Sequence, residues 1–237
     1  MSKSESLKRI NLIEKNQERE SILGSRVKMK EISSKGALAV ALSKLQAFTQ
    51  PKVSVEQYPT DSEVAAEVLW QAKMKGDIGK VGVDLGCGTG ILGIGLVLLG
   101  KVRVYMVDSD EDALDVAKKN MKKVQSEYKV PGEMVFAHQT IVDFKEKADL
   151  VVENPPFGVK NRHADKEFLK KAFELGKVVY SFHKTESKNF IDKFSAENGF
   201  RITDVWDFQF PLKATMHFHS RRIKRIAVSC FRLEKAI

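Results

Sequence analysis

The stretch Val81–Gly100, VGVDLGCGTGILGIGLVLLG, decides the fold of this chain. Its beginning, VGVDL, is a short run rich in valine and leucine, which is typical of a buried strand. Gly86, Gly88 and Gly90 then predict a tight turn, and the apolar run after them has the length of a helix. A strand, a glycine-rich turn and a helix in this order predict the first unit of a parallel sheet with helices on both faces.

The same alternation continues on both sides of this stretch. Residues 62–75 carry apolar side chains at helical spacing. Further strands are predicted at VRVYMVD, MVFAH, ADLVVEN and KVVYSF, and helices between them at DEDALDVAKKNMKKV, DKEFLKKAFELG and TESKNFIDKFSAENG. Asp165 is the predicted N-cap of the DKEFLKKAFELG helix, and Gly176 is its predicted end. These elements predict a doubly wound, mostly parallel sheet.

The C-terminal part of the chain breaks the alternation. RITDVWDFQF and RRIKRIAVSCFRLE are two predicted strands with only a loop, residues 211–220, between them, so we expect them to pair antiparallel at one edge of the sheet. With them, the prediction is an α/β fold with a mostly parallel seven-stranded sheet and an antiparallel edge strand. We expect a basic, partly helical N-terminal extension over residues 1–50 and the sheet domain over residues 51–237.

Composition and cysteine content narrow the class of protein. The 237 residues are 43% hydrophobic, enough for one sizeable core, and no apolar stretch approaches the roughly 20 residues that cross a bilayer. The charged N-terminus, MSKSESLKRINLIEKNQERE, does not resemble a secretion signal. Cys87 and Cys230 form neither a disulfide framework nor a zinc-ligand spacing, and His217 and His219 are too isolated to predict a metal site. We therefore expect a cytoplasmic protein in a reducing compartment, without a metal.

The net charge of +9 is concentrated at the two ends of the chain. Residues 1–50 hold ten Lys/Arg against five Asp/Glu, and residues 213–237 hold seven against one, so the middle carries about −2. Basic ends on a nearly neutral body indicate contact with a polyanion, and nucleic acid is the leading candidate. The alternative is that these charges form an ordinary solvated surface.

Residues at strand ends predict a cofactor site, because ligands of such sheets bind beyond the carboxyl ends of the strands. The segment Gly88–Gly93 also satisfies the dinucleotide pattern G-x-G-x-x-G, so the glycine loop alone is ambiguous. Asp84, two residues before the first glycine, would repel a pyrophosphate but suits the cationic amino-acid end of S-adenosylmethionine. Asp108, at the end of the next strand, is predicted to bind the ribose hydroxyls of either cofactor. The alternative for Asp108 is a charge that only stabilises the next helix.

A second strand end, ADLVVENPPFG, predicts where the substrate binds. Pro155 and Pro156 cannot continue a central strand, since neither offers a backbone donor. Asn154 offers a side-chain carbonyl and Pro155 a backbone carbonyl, and two acceptors suit the two hydrogens of a planar amino group such as that of adenine. Phe157 would supply a face on which the base stacks. The alternative is a turn that merely ends the strand.

DLGCGTG, VDSDEDAL and NPPFG together resemble the Rossmann-like class I methyltransferases that methylate amino groups. VEQYPT, YSFHK and MHFHSRR narrow the resemblance to the methyltransferase-like protein five family, over residues 42–234. This family is known as adenine-N6 methyltransferases of small-subunit ribosomal RNA, and in eukaryotes a small zinc-binding activator pairs with the enzyme. The resemblance implies that Gln57, Tyr58 and Thr60 help close the cofactor site, that Gly86, Thr89, Ile91 and Asp108 line it, and that Asn154, Pro155, Pro156 and Phe157 hold the target adenine.

The chain departs from the family in two places. Members usually carry an aspartate after the third strand for the cofactor adenine, whereas this chain reads FAHQTIVDF, so Thr140, Gln139 or His138 substitutes for it, or Asp143 lies later. Residues 1–36 also exceed what the family generally needs. Candidate contacts to RNA are basic or strand-end residues, namely Lys160, Arg162, His183, Lys184, Arg221 and Arg222.

The sequence therefore predicts an enzyme that transfers a methyl group from S-adenosylmethionine to the exocyclic amino group of an adenine in RNA, with small-subunit ribosomal RNA as the substrate. A protein glutamine-amide methyltransferase is one alternative, because such enzymes share an asparagine-proline-proline-aromatic loop. A catalytically idle RNA-binding factor of ribosome assembly is another. The basic ends argue against the first alternative, and the presence of Asp84, Asp108 and Asn154 argues against the second.

Overall fold

The structure is a computed structural model, and it describes residues 29–47, 60–156, 164–212 and 224–236. The chain from Glu31 to Ile237 forms one compact unit, to which the following description applies. Seven predicted site residues lie outside the described ranges, namely Gln57, Tyr58, Phe157, Lys160, Arg162, Arg221 and Arg222.

A seven-stranded sheet with the order β3-β2-β1-β4-β5-β7-β6 forms the centre of the fold. Its strands are β1 (Val81–Leu85), β2 (Arg103–Asp108), β3 (Glu133–His138), β4 (Ala148–Glu153), β5 (Gly176–Lys184), β6 (Phe200–Leu212) and β7 (Lys224–Lys235). The first five strands are parallel to one another, and β7 is antiparallel to both β5 and β6. The predicted mostly parallel sheet and the antiparallel pairing of the last two strands are therefore confirmed.

Six helices flank the sheet in the described part of the chain: α1 (Lys35–Ser43), α2 (Ser62–Lys75), α3 (Ile91–Leu99), α4 (Glu111–Glu127), α5 (Ala164–Leu175) and α6 (Lys188–Glu197). Asp165 is not the N-cap of α5 as predicted, because this helix begins one residue earlier and places Asp165 in its first turn. Gly176 follows α5 directly, as its first residue beyond the helix, and begins β5. No described helix is long and apolar enough to cross a membrane.

Two hydrophobic clusters cover the two faces of the sheet. One contains Met106, Leu150 and Phe182 from the strands together with buried residues of α1 to α4. The other contains Val83, Val151 and further strand residues together with buried residues of α5 and α6. Because alternate residues of a strand point to opposite faces, helices on both faces are needed to bury strands of this kind.

Helix α1 lies within the predicted N-terminal extension and packs into the first of these clusters. Ser34 caps its N-terminus by accepting a hydrogen bond from the backbone of Ala37, and Leu38, Ala39, Ala41 and Leu42 are buried. Beyond the helix, Lys44 forms an ion pair of 2.6 Å with Glu127 of α4. Residues 35–44 thus share a core with the sheet that carries the site.

The carboxyl ends of four strands meet at one edge of the sheet. Leu85 at the end of β1 pairs with Val107 of β2 on one side and with Glu153 of β4 on the other. Glu153 in turn pairs with Ser181 of β5. This register brings the glycine loop, Asp108 and Asn154 to neighbouring positions, as expected for a doubly wound sheet.

Candidate active site

The glycine loop after β1 has a backbone that only glycine adopts readily. Gly86, Gly88 and Gly90 have φ values of 70°, 53° and 90°. A Cβ atom on Gly86 would also lie 2.6 Å from the Phe168 ring, which packs against the loop from α5. The backbone N–H groups of Gly86 and Cys87 both donate to the carbonyl of Val107, at 2.8 and 3.0 Å. The loop is therefore fixed to the end of β2.

Asp84 lies in the interior below this loop and is 2% exposed. Its Oδ2 accepts a hydrogen bond of 2.7 Å from the backbone N–H of Gly93 in α3. A Cβ atom on Gly93 would force the end of the Met106 side chain to shift and would lie 3.1 Å from the same carboxylate oxygen. Burial raises the pKa of Asp84 to about 7, and repulsion by Asp108 adds to this effect. A cation bound nearby would favour the ionised carboxylate.

Asp108 connects the end of β2 to the glycine loop. Its Oδ2 accepts a hydrogen bond of 2.7 Å from the backbone of Gly88, and its Oδ1 accepts one of 2.8 Å from the backbone of Asp110. Burial raises the pKa of Asp108. Asp110, and not Asp108, is the N-cap of α4. Since each carboxylate oxygen accepts more than one hydrogen bond, Asp108 keeps capacity for the two ribose hydroxyls.

The segment after β3 lies against the end of β2. The backbone N–H of Gln139 donates to the carbonyl of Asp108 at 3.1 Å, and Nε2 of His138 lies 3.2 Å from the Ser109 carbonyl oxygen. The exposed Thr140 hydroxyl donates to Oδ2 of Asp143 at 2.6 Å. His138 and Gln139 thus lie against the end of β2, and Thr140 binds Asp143. Thr140 as the contact to the cofactor adenine stays a prediction, with the other three as alternatives.

Asn154 has one hydrogen-bonded end of its amide and one end without a partner in the part of the chain that the structure describes. Its Nδ2 donates to the Thr60 hydroxyl at 2.9 Å. Its Oδ1 is buried and has no hydrogen-bond partner among the described residues. Pro155, which follows, is also buried. The Thr60 contact directs the free amide oxygen, which is an acceptor available to a substrate amino group.

The remaining described site residues lie at the edges of this arrangement. Thr89 is 8% exposed within the glycine loop, Ile91 begins α3, and Pro156 follows Pro155 at the end of the described loop. Lys184 ends β5 and lies 3.8 Å from the carboxylate of Glu186.

His183 is 1% exposed, and burial lowers its pKa to about 3, so the ring is uncharged. This placement does not support the predicted contact of His183 with RNA.

Asn120 of α4 is a buried residue near the site that the sequence reasoning missed. Its Oδ1 accepts a hydrogen bond of 2.7 Å from the backbone N–H of Gln46, and its Nδ2 donates to the carbonyls of Gln46 and Thr89, each at 3.0 Å. It thereby joins the segment after α1 to the glycine loop. The available signal was its position on the apolar face of α4, three residues after Ala117 and next to Met121.

The sequence of this chain is similar to those of several known proteins. The family model of the methyltransferase small domain matches residues 58–177. The rRNA N(6)-adenosine-methyltransferase METTL5 of Danio rerio is 32% identical over 213 residues, which are 87% of this chain and 98% of that protein. An uncharacterised protein of Methanocaldococcus jannaschii is 34% identical over 84% of this chain and 93% of its own length.

A crystal structure from Pyrococcus horikoshii has a similar fold. It is 40% identical in sequence, with a TM-score of 0.75, and the match covers 87% of this chain and all of that one. This similarity confirms the predicted fold class.

Proposed function

Because this chain belongs to the methyltransferase small domain family and has full-length relatives among the METTL5 enzymes, we propose that it methylates the exocyclic amino group of an adenine in ribosomal RNA. S-adenosylmethionine is the proposed methyl donor, and small-subunit ribosomal RNA is the proposed substrate. The observation that carries the proposal is the buried Oδ1 of Asn154, which has no hydrogen-bond partner among the described residues and follows the end of β4, the strand that pairs with β1 and its Asp84.

The residues at the strand ends fit this donor. The positive-φ glycines let the loop approach a ligand closely, and the buried Asp84 carboxylate attracts a cation. Asp108 has remaining acceptor capacity for ribose hydroxyls beside the glycine loop. When bound, S-adenosylmethionine supplies an activated methyl group. Asp84 would attract its cationic amino-acid end, and Asp108 would accept hydrogen bonds from its ribose hydroxyls.

Asn154 and Pro155 would orient the adenine amino group. The amide oxygen of Asn154 and the backbone carbonyl of Pro155 are two acceptors for its two hydrogens, and accepting both favours the rehybridisation that frees the nitrogen lone pair. The Thr60 hydroxyl holds the amide so that its oxygen, and not its nitrogen, is free. No strong base is required, because the methylated nitrogen loses its proton easily once it carries positive charge.

The choice of RNA as substrate rests on the relatives and on charge. The similar Danio rerio and Drosophila melanogaster proteins are named as rRNA methyltransferases. The Lys/Arg surplus at both chain ends would bind phosphate, with Lys160, Arg162, Lys184, Arg221 and Arg222 as proposed contacts. We place the activity in the cytoplasm. We also keep the small zinc-binding activator as a proposed partner, whose addition would raise the rate of methylation.

The test uses cofactor labelled in the methyl group. The protein is incubated with small-subunit RNA from cells that lack it, and separately with a peptide that carries a glutamine in a release-factor-like context. We expect label in the RNA and none in the peptide. Label in the peptide alone would support the glutamine-amide alternative. Cofactor and RNA binding without any label transfer would support the idle assembly factor. Either outcome would overturn the proposal.

A further inference from the structure

Three buried polar side chains form a continuous chain of hydrogen bonds directly before the Asn154 loop. The hydroxyl of Ser181 donates to Oε1 of Glu153 at 2.6 Å, and Nε2 of His183 lies 2.7 Å from the same hydroxyl. Glu153 and Ser181 are 0% exposed and His183 is 1% exposed. Polar groups in an apolar interior destabilise a fold unless they are paired. A buried chain of hydrogen bonds of this kind therefore indicates a specific structural or functional role.

The register of the sheet places this chain next to Asn154. Glu153 is the last residue of β4 and is held between Leu85 at the end of β1 and Ser181 of β5. Ser181 and His183 are two residues apart on β5, so their side chains lie on the same face of the sheet. Asn154 follows Glu153 by one peptide bond. The position of Glu153 therefore determines where the Asn154 loop begins.

The hydrogen-bond chain from His183 through Ser181 to Glu153 ends on both sides in an atom that has no partner among the described residues. Ser181 has one hydroxyl proton and gives it to Glu153, so His183 must donate its Nε2 proton to Ser181. Nδ1 of His183 is then a bare acceptor. Nδ1 of His183, Oε2 of Glu153 and Oδ1 of Asn154 are the three buried side-chain atoms without a hydrogen-bond partner in the described part of the chain. Their concentration at two neighbouring strand ends marks this region as functional.

The side chains of Glu153, Ser181 and His183 are all uncharged near neutral pH. Burial raises the pKa of Glu153 to about 8, with further contributions from the carboxylates of Asp165 on α5 and Asp84 on β1. Burial lowers the pKa of His183, which faces Glu153 from β5 through Ser181, to about 3. A protonated Glu153 and a neutral His183 therefore fix the end of β4 without a full charge beside Asn154.

We propose that Glu153, Ser181 and His183 are positioning residues that fix the Asn154 amide and the Pro155 carbonyl for methyl transfer. This inference rests on the proposed function. Thr60 holds the amide of Asn154, and the hydrogen bond to Ser181 holds the preceding residue, Glu153. The two contacts together define the direction of both acceptors. A displacement of about 1 Å in a catalytic group can cost about a hundredfold in rate.

The test compares Glu153→Ala, Ser181→Ala and Glu153→Gln with the wild type in kcat for RNA methylation and in cofactor affinity. Glutamine has the shape of the protonated acid, and its carbonyl oxygen can still accept the Ser181 proton. We expect the two alanine variants to lose about tenfold or more in kcat with cofactor affinity within twofold, and Glu153→Gln to keep most of the activity at pH 7. Ser195→Ala is the matched control, because Ser195 is equally buried but bonds only the Ile191 carbonyl in α6.

A pH profile separates positioning from a merely structural role. The kcat of the wild type should fall above about pH 8, where Glu153 ionises beside the loop, whereas the profile of Glu153→Gln should stay flat there. Should Glu153→Ala not fold, as judged by lost cofactor binding, Ser181→Ala and Glu153→Gln carry the test. Two results with an active wild type would overturn this inference alone. One is a kcat of Ser181→Ala equal to that of the wild type, and the other is a fall in the kcat of Glu153→Gln above about pH 8 like that of the wild type. A wild type that binds cofactor and RNA but transfers no methyl group would overturn the proposed function and this inference with it.

Discussion

Asn154 shows how a single contact gives a side chain a direction. Its amide nitrogen donates to Thr60, and its buried amide oxygen has no hydrogen-bond partner within residues 29–47, 60–156, 164–212 and 224–236. The sequence motif NPPFG predicts that the oxygen is an acceptor, because the residues stand next to each other in the chain. It could not predict the Thr60 contact, since the two residues are 94 positions apart and no local pattern links them.

Replacement of Asn154 by alanine tests this role. Asn154→Ala removes the acceptor and leaves the glycine loop unchanged, so we expect cofactor affinity to persist and kcat to fall about a hundredfold. Isothermal titration with cofactor and single-turnover methylation of RNA measure the two quantities. Asn198→Ala is the control, because Asn198 bonds the Phe194 carbonyl at the far end of α6. Methylation above about a tenth of the wild-type rate would remove Asn154 from its assigned role.

The raised pKa of Asp84 leads us to expect that cofactor binding depends on pH. With a pKa raised to about 7, its carboxyl is mostly protonated at pH 6 and mostly ionised at pH 7.5. A cationic ligand binds the ionised form better, so cofactor affinity should increase roughly fivefold to tenfold between these two pH values. Titrations at pH 6.0, 6.5, 7.0 and 7.5 measure this. Asp84→Asn should bind more weakly and with no such pH dependence. A wild-type affinity that is constant with pH would contradict the assigned contact.

At the scale of elements, the alternation along the chain predicts where strands and helices lie better than it predicts which strands are adjacent in the sheet. The pairing of β6 with β7 was predictable because no helix separates them. The position of β7 between β5 and β6 was not, since local patterns do not reveal which strands are adjacent. The link from α4 through Asn120 to Gln46 and Thr89 is of the same kind, because it joins three separate segments.

Asn120 allows a prediction about this link. Asn120→Ala would remove three hydrogen bonds and leave backbone groups of the exposed Gln46 and of the buried Thr89 without that partner. We expect the free energy of unfolding to fall by about 2 to 4 kcal/mol and cofactor affinity to weaken. Urea denaturation and calorimetric titration measure these effects. Lys119→Ala, at an exposed position of the same helix, is the control and should change neither. An unchanged cofactor affinity in a destabilised Asn120→Ala would show that the link does not act on the glycine loop.

At the scale of the whole molecule, a nearly neutral middle carries the described site and the two ends carry the excess positive charge. The fold was predicted from the alternation of strands and helices, and the family resemblance from three motifs at strand ends together with VEQYPT, YSFHK and MHFHSRR; both are confirmed. Which basic residues touch RNA could not be predicted equally well. Exposure decides such contacts, and His183 illustrates this, because a strand-end histidine in a basic context proves to be buried.

The basic C-terminal region predicts a salt dependence. If Arg221 and Arg222 bind phosphate, the affinity for RNA should fall steeply with salt, and their double replacement by alanine should flatten the slope by about one to two powers of salt concentration. Filter binding at several ionic strengths measures the slope. Lys118→Ala with Lys119→Ala removes the same charge from the exposed side of α4 and should leave the slope nearly unchanged. Equal slopes for the wild type and the arginine variant would identify these arginines as ordinary surface charge.

The modified nucleoside itself tests the central claim most directly. Small-subunit RNA from cells lacking this protein is incubated with the protein and S-adenosylmethionine, digested to nucleosides and analysed by mass spectrometry against synthetic standards. The account predicts a stoichiometric gain of N6-methyladenosine with the wild type and none with Asn154→Ala. A gain of a different methylated nucleoside, or no gain while cofactor and RNA both bind, would contradict it.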